Sequence, residues 1–192
     1  MKTLKLKIIL LFCLVSMICT GQKCKNSKRT FKRAKKHLVE DKIIKATKFR
    51  VLFSKFSKVA TVNFVKSDKG YYLSLMFGRE FGARVDIMDD NPLVVQFIND
   101  SIMTIYPDRS TPGKFTLPVT TEINKPFYKV DRKQLELFAS QPIHYVKIYF
   151  TSDKVSEKNR GLDDSGTFFD FEILSERFQS NLIDAANCML QL

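Results

Sequence analysis

Proton transfer near neutral pH calls for an imidazole or a carboxylate held beside a second polar group. The chain has two histidines, His37 and His144. His144 stands in an alternating run, His144-Tyr145-Val146-Lys147-Ile148-Tyr149-Phe150, with Asp86 and Asp170 as its candidate carboxylate partners. An exported hydrolase or transferase working through acidic residues and His144 is therefore one reading of the chain. Against it, the sequence supplies no nucleophile or orienting group to complete such a site. His37 lies inside a run of lysines, where an imidazole is a poor base and a poor metal ligand.

The spacings that announce familiar chemistry are missing from the sequence. It has no Gly-x-Ser-x-Gly, no phosphate loop, no His-Glu-x-x-His and no Cys-x-x-Cys. Gly78-Arg79-Glu80-Phe81-Gly82 falls between strand-like runs, not at the strand-to-helix turn of a dinucleotide site. Asp89-Asp90-Asn91 and Asp163-Asp164-Ser165-Gly166 offer hard oxygens, but lack the alternating acids and distal Glu of a calcium loop. They read as solvated turns. Zinc would have to draw on Cys24, His37, His144 and Cys188, whose separations fit no short-range pattern. No catalytic residue, metal or cofactor is assigned.

One segment does imply a partner. Lys23, Lys25, Lys28, Arg29, Lys32, Arg33, Lys35 and Lys36 follow one another without an acid between them. Residues 22–60 hold fourteen Lys and Arg against two acids, whereas residues 61–192 hold fifteen against eighteen. The excess positive charge is thus local, and the sequence pI of 9.6 describes one segment rather than the whole chain. Near an anionic surface each such cation is worth about 1 kcal/mol. Lys28, Arg29, Lys32, Arg33, Lys35 and Lys36 are accordingly the expected contacts to an anionic envelope lipid, a glycan or another protein. The plainer alternative is a solvated, lysine-rich tail. Nucleic acid is not expected if the chain is exported, and Phe31 alone makes no stacking platform.

The compartment is read from the first residues. Lys2, Lys5 and Lys7 precede an apolar run from Ile8 to Ile18, which closes on Cys19-Thr20-Gly21-Gln22. A charged head, a short apolar stretch and a small-residue exit form an export signal, with cleavage expected between Gly21 and Gln22. The run is short of the roughly 20 apolar residues that span a bilayer. Ile18 is too bulky to precede a lipid-bearing Cys19. The cations after the run resist translocation, so an uncleaved membrane anchor is the alternative. Cleavage would remove Cys13 and Cys19, leaving Cys24 and Cys188 either bridged in an oxidising compartment or present as free thiols.

The remaining pattern must build the scaffold. Hydrophobic residues at 44% with charged at 27% exclude wholesale disorder, and seventeen phenylalanines provide bulky apolar area. Phe31, Ala34 and Leu38 recur at helical spacing. Period-two runs follow near 47–53, 59–66, 71–77, 83–88, 93–98 and 101–106, with turn residues at Ser67-Asp68-Lys69-Gly70 and Asn99-Asp100. Edge pieces are expected at 119–123 and 127–130, separated by Pro126. Asp131 and Gln134 announce a capping box, and strands follow at 144–150 and 168–174. A last helix begins at Ser175, with Phe178, Leu182, Ala186 and Met189 or Leu190 on one face. The expected organisation is a signal over 1–21, a basic, partly helical arm over 22–46 and one domain over 47–192. Its class is α+β, an antiparallel sheet of about six to eight hairpin-linked strands with the C-terminal helix on one face. The leading functional expectation is an exported, non-enzymatic binding or accessory protein of the bacterial cell envelope.

Overall fold

The computed structural model describes residues 26–55, 58–79, 85–116, 121–152 and 168–191. The expected signal, its Gly21/Gln22 junction, Cys24 and the Asp163–Gly166 turn lie outside them. So does most of the segment from Gly78 to Gly82.

The chain is antiparallel α+β. Helix α1 (Lys28–His37) leads into β1 (Ile43–Ala46), β2 (Arg50–Lys55), β3 (Lys58–Ser67) and β4 (Gly70–Arg79). Short strand β5 (Val85–Asp86) precedes the hairpin of β6 (Leu93–Phe97) and β7 (Ile102–Ile105). Then come β8 (Lys114–Thr116), β9 (Thr121–Asn124), β10 (Phe127–Val130) and helix α2 (Arg132–Ser140). Strands β11 (Ile143–Tyr149), β12 (Thr151–Ser152) and β13 (Phe168–Glu172) and helix α3 (Glu176–Leu190) complete the described chain. The larger sheet has seven strands, with β1-β3-β4-β9-β8 in order, β2 on β3 and β10 on β4. A second sheet, not anticipated from the hairpin pattern, runs β13-β11-β6-β7, and β5 pairs with β12.

Local chemistry sets the turns and helix ends. At the β3–β4 turn Gly70 has φ of 138°, a region that excludes most side chains. Asp100 takes φ of 62° in the β6–β7 hairpin, a left-handed conformation that Asp and Asn tolerate. Asp131 Oδ1 accepts from the Gln134 N–H at 2.7 Å while Gln134 Oε1 accepts from the Asp131 N–H at 2.9 Å, closing the capping box of α2. Ser175 occupies the N-cap of α3, but its side chain makes no cap hydrogen bond.

The large sheet is buried on both faces. Ala60, Val62 and Phe64 of β3 and Leu73, Leu75 and Phe77 of β4 join the main core. That core also takes in the second sheet and the apolar sides of α2 and α3, including Leu182, Ala186 and Met189. On the opposite face Val65, Tyr72 and Phe127 pack beneath Ala34 and Leu38 of α1 in a smaller cluster.

Two bulges reverse faces that strict alternation would assign. Between Val51 and Phe53 the pairing of β2 with β3 shifts, so the successive residues Leu52 and Phe53 both pack on the main core instead of alternating across the sheet. Between Ile143 and Tyr145 the pairing of β11 with β6 shifts as well. His144 is therefore exposed although Val146 and Ile148, its expected face-mates, are buried.

Tyr128 is fully buried in the main core, and its hydroxyl has no hydrogen-bond partner among the described residues. An unsatisfied buried hydroxyl costs about 1–3 kcal/mol. Tyr128→Phe is therefore expected to raise the free energy of unfolding by about 1 kcal/mol, since the ring still fills its site. Urea denaturation checks this; a less stable variant would show that the hydroxyl is bonded in solution.

Candidate functional site

The segment from Asn26 to Ala46 is built into the fold rather than set apart from it as an arm. Asn26 Oδ1 accepts from the Ala46 N–H at 3.1 Å, and the Ser27 N–H donates to the Ala46 carbonyl at 2.9 Å. Thr30 Oγ1, buried, donates to the Thr47 carbonyl at 2.8 Å. Strand β1 pairs with β3. Thr30, Ala34 and Leu38 recur every fourth residue and seat one side of α1 on the sheet. Beyond its end, the Asp41 carboxylate accepts from Tyr72 Oη at 2.7 Å and Ser67 Oγ at 2.9 Å, and meets Lys69 Nζ at 3.2 Å. A thin apolar stripe suffices because contacts at both ends fix the helix.

This seating sorts the six expected contact residues. Lys28, Arg29, Lys32, Lys35 and Lys36 are exposed. Arg33 instead turns toward the sheet. Its guanidinium carbon lies 4.6 Å from the centre of the Phe49 ring and 5.4 Å from that of Phe127, and Nη2 donates to Ser74 Oγ. Burial, and then the charge of Arg29, lowers its pKa to about 10. It remains a cation at neutral pH, and no carboxylate lies within ion-pair distance of it among the described residues.

Beside Arg33 the last turn of α1 faces a cleft of about 370 Å³. Arg33, Lys36 and His37 form one wall, Lys125 and Phe127 another, and Thr111 and Pro112 the third. The third wall is held by paired hydrogen bonds between Ile87 and Thr111 at 3.0 and 2.6 Å, and by the Asp108 N–H donating to the Phe127 carbonyl at 2.7 Å. The His37 ring stacks on Phe127 with centroids 4.3 Å apart and planes at 20°. Its Nε2 is buried without a hydrogen-bond partner among the described residues. Burial first, then the charges of Arg109 and Arg33, lowers the His37 pKa from 6.5 to about 4, with Asp108 opposing.

His37 should accordingly make stability acid-sensitive. Between pH about 4 and 6.5 the unfolded chain binds a proton there that the folded chain does not, so stability falls as pH drops through that window. The contribution is intact above pH 6.5 and is lost in full by pH 4. Discounted for solvent screening of a half-exposed ring, it amounts to about 1–2 kcal/mol. Urea midpoints at the two ends of the window should differ more for the native protein than for His37→Gln; equal differences would contradict the assignment.

The other expected groups are not brought together. Asp170 accepts from Tyr145 Oη at 2.6 Å and lies opposite Lys147, while Asp86 accepts from the Gly113 N–H at 2.8 Å. Neither carboxylate is hydrogen-bonded to His144, whose carbonyl accepts from the Ile173 N–H at 2.8 Å. Asn91 of the Asp89-Asp90-Asn91 turn accepts from the Met88 N–H through Oδ1 at 2.9 Å. Cys188, on α3, is disulfide-bonded. Among the described residues, no group of three or more His, Cys, Asp or Glu could hold a metal ion, and no helix is long and apolar enough to cross a membrane. Sequence reasoning missed Lys125, Phe127, Thr111 and Pro112 as cleft residues, because only tertiary pairing brings them to α1. No protein-family model, curated protein or solved structure matches the chain.

Proposed function

We propose that the chain is a non-enzymatic binding or accessory module of the bacterial cell envelope, docked on anionic lipid headgroups by the outer side of α1. The observation that carries this reading is the disposition of Lys28, Arg29, Lys32, Lys35 and Lys36. All five are exposed on a helix that contains no acid and whose opposite side is fastened to the sheet. At 1.5 Å per residue they span about 12 Å, little more than one Debye length of about 8 Å at physiological salt. Five charges so close act on a surface as one patch. Because the helix is already folded and anchored, docking does not have to order it first.

Export behind a cleaved signal belongs to the same proposal. Removal of residues 1–21 would leave Cys24 as the only cysteine besides Cys188. The disulfide at Cys188 supports a Cys24–Cys188 bridge, which would tie the segment before α1 to α3. Such a bridge persists outside the reducing cytosol.

The test is adsorption to phosphatidylglycerol vesicles and to neutral phosphatidylcholine vesicles. Binding to the anionic vesicles alone, reversed by raising salt, is the expected result. Equal adsorption to both would overturn the reading.

A further inference from the structure

The surface that carries α1 also carries apolar side chains that electrostatic docking does not use. We infer that Val39 and Ile44 insert into the bilayer beneath the anionic headgroups, giving α1 an apolar anchor at its C-terminal end. The inference rests on the reading of α1 as the docking element and adds what else touches the lipid. Val39 is 74% exposed and Ile44 49%. Single exposed apolar side chains are ordinary, but these two follow closely on the end of one basic helix. Val39 comes three residues after Lys36, in a turn closed by the Asp41 N–H donating to the Leu38 carbonyl at 3.1 Å. Such turns usually carry Gly, Asn, Asp or Ser, which support the backbone locally as Val does not. Ile44 stands on edge strand β1, at the shift in pairing between Ile43 and Lys45. Ile43 and Ala46 pack beneath α1, and Ile44 is left facing outward. Charge ordinarily guards an edge strand at such a place.

Charge complementarity selects the partner. Lys42 and Lys69 are exposed beyond the end of α1 and join its five outer cations. Against these seven stand Glu40, Asp41 and Asp68. Asp41 is held by Tyr72, Ser67 and Lys69, and Glu40 meets Lys69 at 3.6 Å. Asp68 accepts from the Lys42 N–H at 2.9 Å. The surface remains positive. A polyanionic glycan would satisfy the cations, yet it has no apolar interior to receive Val39 and Ile44. An anionic bilayer offers both, and apolar side chains beside a basic helix bury about 5–10 Å into the boundary of headgroups and acyl chains. Lys32, Lys35 and Lys36 keep their ammonium groups at the phosphates while their stems lie along that boundary. Two side chains are too few to hold the protein on a neutral bilayer, since even one myristoyl chain binds only marginally. The cations bring the surface up, and the apolar pair lengthens the stay.

The chain has no tryptophan, so Val39→Trp supplies a single indole reporter in the turn. Leu174→Trp, at a side chain 78% exposed ahead of α3, is the control. Each is sedimented with phosphatidylglycerol vesicles, with and without bromine on the acyl chains. The expected result is blue-shifted emission, quenched by bromine, for Val39→Trp and neither change for Leu174→Trp. Because indole itself favours membrane interfaces, Val39→Ser with Ile44→Ser is measured alongside. Its partition onto phosphatidylglycerol should be about tenfold weaker than that of the native protein. That factor should hold at low and at raised salt, since ions screen charges and not apolar contact. Unshifted, unquenched emission from vesicle-bound Val39→Trp would overturn insertion and leave electrostatic docking standing. So would equal quenching of Leu174→Trp, or a serine variant that partitions like the native protein. A native protein that stays in the supernatant would overturn both docking and insertion.

Discussion

Phe138→Ala is expected to lower the free energy of unfolding by about 4 kcal/mol, with the denaturant slope unchanged. Phe138 is 1% exposed and meets two rings edge-on, Phe64 at 5.5 Å and 63° and Phe97 at 5.8 Å and 62°. Those three rings belong to α2, β3 and β6, so one side chain joins a helix to both large sheets. Truncation removes the transfer free energy of the ring and leaves a cavity that its aromatic neighbours cannot fill without leaving their own partners. Each edge-to-face pair adds about 0.5–1.5 kcal/mol to that loss. For a chain of this size, 4 kcal/mol corresponds to a fall in melting temperature of roughly 8–16 °C. Urea unfolding followed by circular dichroism measures it. A loss below about 1 kcal/mol would mean that the two sheets are not held together through α2.

What could be read of this fold without coordinates was the part fixed by neighbours in sequence. The Asp131/Gln134 box, the Asn99-Asp100 turn and the Leu182-Ala186-Met189 stripe act within a few residues, and each stands where local chemistry puts it. The antiparallel α+β class followed from them. Long-range pairing escaped. Nothing local in Ile43-Ile44-Lys45-Ala46 marks it as a strand of the large sheet, because its partners Val65, Lys66 and Ser67 lie about twenty residues away. Nor does the sequence divide the hairpins between two sheets. The bulges at Leu52 and His144 were hidden for a different reason. Each shifts the pairing within a strand, so a two-residue period carried through it assigns the wrong face.

The candidate site was legible in composition and illegible in depth. A run of cations without acids identifies Lys28 through Lys36 as a charged element, but helical phase alone does not decide which member is covered. Arg33 turns inward because it follows Thr30 by three residues and precedes His37 by four, placing it along the edge of the seated stripe. The cleft needs Thr111, Lys125 and Phe127, which sequence separates from α1 by more than seventy residues. His37 looked like a lysine neighbour of no use. Its stacking on Phe127 and its depressed pKa come from the sheet beneath it.

Removing the outer charges of α1 should have the largest effect on binding. Lys28→Gln, Arg29→Gln, Lys32→Gln and Lys35→Gln together delete four exposed cations and touch none of the buried contacts of Thr30, Ala34 or Leu38. At about 1 kcal/mol per charge, adsorption to anionic vesicles at low salt should fall by roughly 10²- to 10³-fold. Thermal unfolding should be nearly unaffected, because exposed side chains away from caps and cores contribute within about 0.5 kcal/mol.

The most direct measurement is the partition coefficient of this fourfold variant and of the native protein on phosphatidylglycerol vesicles, read side by side at low salt. The expected result is strong adsorption of the native protein and a variant that binds no better than either does to phosphatidylcholine. Equal adsorption of both proteins to the anionic vesicles would contradict α1 as the docking element.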